Sequence, residues 1–167
     1  MSDKCLDDGS PNVLFLEDFI RANWPETSPR VICPIADPFV KHHGAFGGFV
    51  RVHLLNKSQA KITVMLDQIR ELPQVEMAVT GQEAAAVFEM PPEYEGEIVV
   101  IARENAVIGS RREEYDMSQL QGHRIRSHGG LSEQRVPLLT SWPVRKHVLY
   151  DGRQWRNFDA FDLALNY

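Results

Sequence analysis

Two cysteines, Cys5 and Cys33, are all that this chain of 167 residues carries. They form no CxxC and no paired metal-ligand spacing, so nothing supports a cysteine-rich zinc module or a disulfide between them, and reduced thiols in a cytoplasmic protein are the expectation. Positive charge is also in deficit, with 18 Lys and Arg against 23 Asp and Glu and a net charge of −5. A nonspecific nucleic-acid binder needs a basic face to neutralise phosphates, so that class is excluded, while a pocket for one small anion is not. No apolar run approaches the roughly 18 residues that a membrane-spanning helix needs. The opening "MSDKCLDDGS" lacks the basic-then-apolar pattern of a signal peptide, and cytoplasm is the default expectation. There is no GxSxG elbow, no HExxH, no P-loop and no GxGxxG, and neither cysteine has a histidine close in sequence.

What is present is a succession of short periodic segments. "SPNVLFLEDFIRANWP" predicts a helix capped by Ser10, with Pro11 in the first turn, Val13, Leu16 and Ile20 on one face, and Pro25 as its stop. "RVICPIA" predicts a buried strand in which Pro34 favours an edge or bulge. "FVRVHLL" alternates as a half-buried strand, with Val50, Val52 and Leu54 on one side and Arg51 and His53 on the other. "KITVMLDQIREL" has helical spacing and "QVEMAV" alternates again. "TGQE", Thr80 to Glu83, is a capping box ahead of a second helical run. "EIVVIA" is a continuous apolar run suited to a strand covered on both faces, with "NAVIGS" as a short partner strand. Residues 111–134 read as a long polar loop, "RVPLL" as a last short strand and "NFDAFDLALNY" as a closing helix. The class is α/β with a mixed sheet.

Within the long loop lies "RSHGGLSEQRVPLL", where His128 sits between a serine and two glycines. Glycines let the backbone approach a metal or anion closely, and a neutral imidazole is the commonest zinc ligand; a turn histidine bonded to backbone is the alternative. His42 and His43 are adjacent, so their side chains point apart in extended chain; with Asp37 and His53 they make a separate zinc site conceivable without a short-spaced ligand pattern to support it. "GAFGGF" is glycine-rich but is neither a P-loop nor GxGxxG, so the case for phosphate cradling there is weak, and "RREEYD" reads as a solvated charged turn.

"RSHGGLSEQRVPLL" followed by "RNFDAFDLALN" resembles the C-terminal end of phosphonoacetate hydrolases, zinc enzymes of the alkaline phosphatase superfamily close to its nucleotide pyrophosphatase/phosphodiesterase branch. "PNVLFLEDFI", "RVICPIADPFVKHHGAFGGFVRVHLL" and "GEIVVIARENAVIGS" resemble internal blocks of that family in the same order, and "DPFVKHHGAFG" narrows the superfamily to it. The resemblance implies part of an alkaline-phosphatase-like core sheet between helices. A small α/β lobe is inserted, giving a core segment 1–36, a lobe 37–96 and a second core segment 97–167. It also implies two zinc ions held by aspartates and histidines, and a threonine nucleophile that attacks phosphorus so that phosphonoacetate is split into acetate and phosphate. Two metals suit that chemistry, lowering the nucleophile's pKa and clamping charge on the transferring phosphoryl oxygens.

Carried over residue by residue, the resemblance makes His128 a zinc ligand. The family's other pieces are an early aspartate, the nucleophilic threonine, an Asp-x-x-x-His and an adjacent Asp-His-Gly. They precede the segment that "MSDK…GSPNV" resembles, and this chain has no Asp-His and no DxxxH. The expectation is a C-terminal portion that begins just past Asp-His-Gly, contains no catalytic nucleophile and is not competent alone, because a zinc ion takes three or four protein ligands. One half of a split enzyme, joined to an N-terminal half, is an alternative reading. The same reading expects "RVICPIA" and "EIVVIA" to be left open as sheet edges that promote self-association. A non-catalytic interaction module, and an independent metal site at Asp37, His42, His43 and His53, are the rival readings.

Overall fold

The computed structural model describes residues 2–34, 46–118, 125–144 and 154–166, and it divides into two compact units, Met1–Arg135 and Val136–Tyr167. The first unit contains eight strands and three α-helices among its described residues. In chain order these are β1 (Ser2–Asp3), β2 (Val13–Phe15), α1 (Leu16–Asn23), β3 (Pro29–Ile32), β4 (Phe49–Leu54) and α2 (Gln59–Arg70). They continue with β5 (Val75–Thr80), α3 (Gly81–Phe88), β6 (Ile98–Ala102), β7 (Val107–Gly109) and β8 (Arg126–Ser127). The second unit holds α4 (Asp159–Asn166). No described helix is long and apolar enough to cross a membrane, and both cysteines are free thiols.

Alternation in the sequence builds the main sheet, a four-stranded antiparallel layer in the order β3-β4-β6-β5. Successive side chains of a strand point to opposite faces. On one face Val31, Val50, Val52, Ile98, Val100 and Ala78 pack with Ile62, Met65, Leu66 and Ile69 of α2 and with Leu16 and Ile20 of α1. On the other, Val99 and Ile101 pack with Ala84 of α3 and with Phe49, Met77, Val79, Phe88 and Leu131. β6 contributes to both faces and every residue in it is buried, which is why its sequence is an unbroken apolar run. The sheet takes β3 and β6 from either side of residues 37–96.

Thr80 and Glu83 form the capping box that their spacing predicts. The Thr80 Oγ1 accepts the Glu83 N–H at 3.2 Å, and the Glu83 carboxylate accepts the Thr80 N–H at 2.8 Å. Thr80→Ala is expected to lower stability by about 1 kcal/mol, read as a shift of the urea midpoint at constant m; Thr80→Ser should restore it.

Three expectations are corrected. The first predicted helix begins at Leu16, not after Ser10, and has no side-chain cap. Residues 13–15 instead pair in parallel with β7, Val13 against Val107 and Phe15 against Gly109. Ser10 turns inward on its own loop, its N–H and hydroxyl both donating to Asp8 Oδ1 at 2.9 and 2.6 Å. Long-range strand pairing has overridden a local helix signal. "RVPLL" forms no strand, and Val136, Leu138 and Leu139 in it are exposed. Nor is "EIVVIA" an open edge. β6 lies between β4 and β5. β3 is an edge strand, but its outward Val31 N–H donates to Glu17 Oε2 at 2.8 Å. That carboxylate, fully buried on α1, is also held by Arg21 at 2.8 Å. The edge expected of "RVICPIA" is therefore present at β3, with this one outward N–H capped by a charged group, a feature that discourages strand addition.

Candidate functional site

The loop that carries His128 leaves β8, whose two residues pair antiparallel with β1, Ser2 against Ser127 and Asp3 against Arg126. The Ser127 hydroxyl, buried, donates to the Phe46 carbonyl at 2.9 Å. The Gly48 N–H donates to the His128 carbonyl at 2.9 Å. Gly129 adopts φ +103°, a conformation that side chains rarely take, and so turns the chain back at once. The Gly130 N–H then donates to Glu133 Oε2 at 2.9 Å, and Leu131 packs on the sheet face beside Ile101 and Phe49. The backbone on both sides of His128 is therefore held, while the side chain itself is exposed and has no hydrogen-bond partner among the described residues.

Within "GAFGGF", where the support for a phosphate cradle was weak, Gly48 instead serves as the seat of this loop. A Cβ on Gly48 would lie 2.4 Å from the Gly130 nitrogen, so only glycine lets the two backbones come this close. Sequence reasoning missed this, and it also missed Lys4. The Lys4 side chain is wholly buried, and its Nζ donates to Glu133 Oε1 at 2.8 Å and to the Glu104 carbonyl at 2.7 Å. The only available signal was the acid within "HGGLSE", which sequence reading quoted but assigned no partner.

Asp37, His42 and His43 lie outside the described residues. His53 is half-buried on β4, opposite Arg30. Among the described residues no group of three or more His, Cys, Asp or Glu side chains could hold a metal ion. His128 alone does not fit a zinc ion, which takes three or four protein ligands. A cleft of about 540 Å³, lined by Asp3, Glu76, Arg103, Glu104, Asn105 and Ser132, does not include His128.

"RREEYD" is less solvated than its composition predicts. Tyr115 is buried and stacks on Phe46 with centroids 4.3 Å apart. Its hydroxyl accepts the Ser110 N–H at 3.1 Å, and Arg111 approaches buried Glu17 at 3.5 Å. Burial pushes the Cys33 thiol up to about 11 and the Tyr115 hydroxyl to about 12. Cys33 is thus a protonated, structural thiol near neutral pH.

No family model matches the chain. A phosphonoacetate hydrolase from Penicillium oxalicum is 61% identical over 31 residues, 19% of this chain and 43% of that relative. The crystal structure of phosphonoacetate hydrolase from Sinorhizobium meliloti 1021 in complex with phosphonoformate matches with a TM-score of 0.73 and 33% identity, covering 96% of this chain and 38% of that one. The same enzyme in complex with phosphonoacetate matches with a TM-score of 0.68 and 31% identity over the same shares. The chain spans less than half the length of each of these relatives. Over nearly all its residues, this mixed α/β chain matches one portion of phosphonoacetate hydrolase, an alkaline-phosphatase-like enzyme.

Proposed function

We propose that this chain supplies one part of a zinc-dependent phosphonoacetate hydrolase, with His128 as the zinc ligand it contributes and phosphonoacetate as the substrate. The described residues do not complete a metal site by themselves, so the remaining ligands and the nucleophilic threonine are assigned to sequence beyond these residues. The observation that carries this reading is the β1–β8 register. Ser2 pairs antiparallel with Ser127, so any chain entering Ser2 from its N-terminal side runs alongside His128. The Asp-His-Gly of the family motif, which the resemblance puts just ahead of Met1, would enter at that point. One strand pair would then bring ligands distant in sequence to a common centre.

The test is phosphate release from phosphonoacetate, with and without zinc. It compares the 167-residue chain with a longer chain, extended at its N-terminus by a family segment that carries the threonine, Asp-x-x-x-His and Asp-His-Gly. The longer chain is expected to release phosphate only with zinc, and His128→Ala to reduce the rate by roughly 100-fold or more, since even outer partners of metal ligands are worth about 10–100-fold. Turnover by the longer chain that His128→Ala leaves unchanged would sink the assignment. Zinc-dependent turnover by the 167-residue chain alone would place all the ligands within it.

A second reading, an interaction module without catalysis, has one observation in its favour. In the unit Val136–Tyr167, Leu139, Trp142, Phe161 and Leu165 are each at least three-quarters exposed, an apolar surface of the kind that marks contact sites. Failure of the longer chain to bind zinc would favour it.

A further inference from the structure

We infer that Lys4 and Glu133 are positioning residues that lock the His128 loop in place through a buried ion pair; the catalytic meaning of that lock rests on the ligand reading of His128. Lysine is almost never fully buried unless it is paired, and the Lys4 side chain is 0% exposed. Its strand is fixed independently, because the Lys4 N–H donates to the Ile125 carbonyl at 2.9 Å and the Lys4 carbonyl accepts the Asn12 N–H at 3.1 Å. The ammonium thus projects from a rigid base. It meets one carboxylate oxygen of Glu133, while the other oxygen accepts the Gly130 N–H. Charge-assisted bonds of this kind are shorter and roughly twice as strong as neutral ones. Glu133 therefore joins the N-terminal strand to the backbone just beyond His128. Gly48 and Ser127 hold the near side, at 2.9 Å each. The imidazole that these bonds flank is exposed and has no hydrogen-bond partner among the described residues. A side chain presented from a fixed backbone is what a pre-organised ligand or catalytic group needs.

The test is native-state hydrogen exchange by NMR on the 167-residue chain, without metal. The double variant Lys4→Met/Glu133→Leu removes both charges and so leaves no orphaned ion. Its Gly48 and Gly130 amides are expected to exchange at least about tenfold faster, while the Val100 and Ile101 amides of β6 change by no more than about threefold, because local and global opening are separate events. Glu133→Asp keeps the charge but shortens the reach, so it should loosen the same two amides selectively even if the double variant fails to fold. Unchanged protection of Gly48 and Gly130 in the variants that fold, or a uniform rise at all amides, overturns the inference. Its outcome is separable from that of the proposed function. Selective loosening, together with turnover indifferent to His128→Ala, would leave the lock standing and remove only the ligand assignment.

Discussion

Glu133→Gln is expected to lower the free energy of unfolding by about 3–5 kcal/mol, the usual consequence of removing one partner from a buried ion pair. The substitution keeps the shape of the side chain and takes away its charge. The Lys4 ammonium, with no solvent exposure, is then left facing a neutral amide and the Glu104 carbonyl. A small domain has only about 5–15 kcal/mol in total, so the variant should melt well below the parent in both thermal and urea unfolding. Lys4→Met/Glu133→Leu should recover part of that loss because it orphans no charge, while the Gly130 N–H that loses its acceptor still costs about 1–3 kcal/mol. Lys4→Met and Glu133→Leu, each measured alone, complete the double-mutant cycle that isolates the coupling. A single variant as stable as the parent would mean that water reaches Lys4.

Gly48→Ala carries the second large effect, and it acts on the site. The added methyl group would stand 2.4 Å from the Gly130 nitrogen, 2.9 Å from the Gly129 carbonyl carbon and 3.0 Å from the Gly130 Cα. All three are backbone atoms and cannot rotate aside. The His128 loop must move off the start of β4 and surrender the bond from the Gly48 N–H to the His128 carbonyl. Overpacking of this kind costs about 1–3 kcal/mol. In the longer, zinc-loaded chain, displacement of the imidazole should reduce phosphate release by about 100-fold, the scale of a 1 Å misplacement. Substitution without effect on either stability or rate would show that the loop does not rest on Gly48.

Some of this was legible in the residues. Phe49 to Leu54 alternate, and β4 follows with Val50, Val52 and Leu54 buried. Thr80 and Glu83 have the spacing of a capping box, and the box forms. The unbroken run at 98–102 announces a strand covered on both faces, which is β6. These signals are local or reflect only the average surroundings of a strand. Val13 to Phe15 failed as a helix because their partner, β7, lies far along the chain, and no local pattern encodes that pairing. Lys4 is more instructive. In "MSDKCLDDGS" it resembles any solvated lysine, and only the approach of Glu133 from the far end of the unit makes its burial tolerable.

By itself, then, the sequence determined the strand and helix periodicities, the capping box, the resemblance to phosphonoacetate hydrolases and the singular position of His128 among two glycines and a serine. The tertiary structure alone decided what holds that histidine. β1 lies beside β8, Gly48 lies under the loop, and a buried lysine is neutralised by Glu133. The physical reason is range: periodicity and capping are set within a few residues, whereas steric exclusion at Gly48 and charge compensation at Lys4 depend on groups that meet only when the chain has folded.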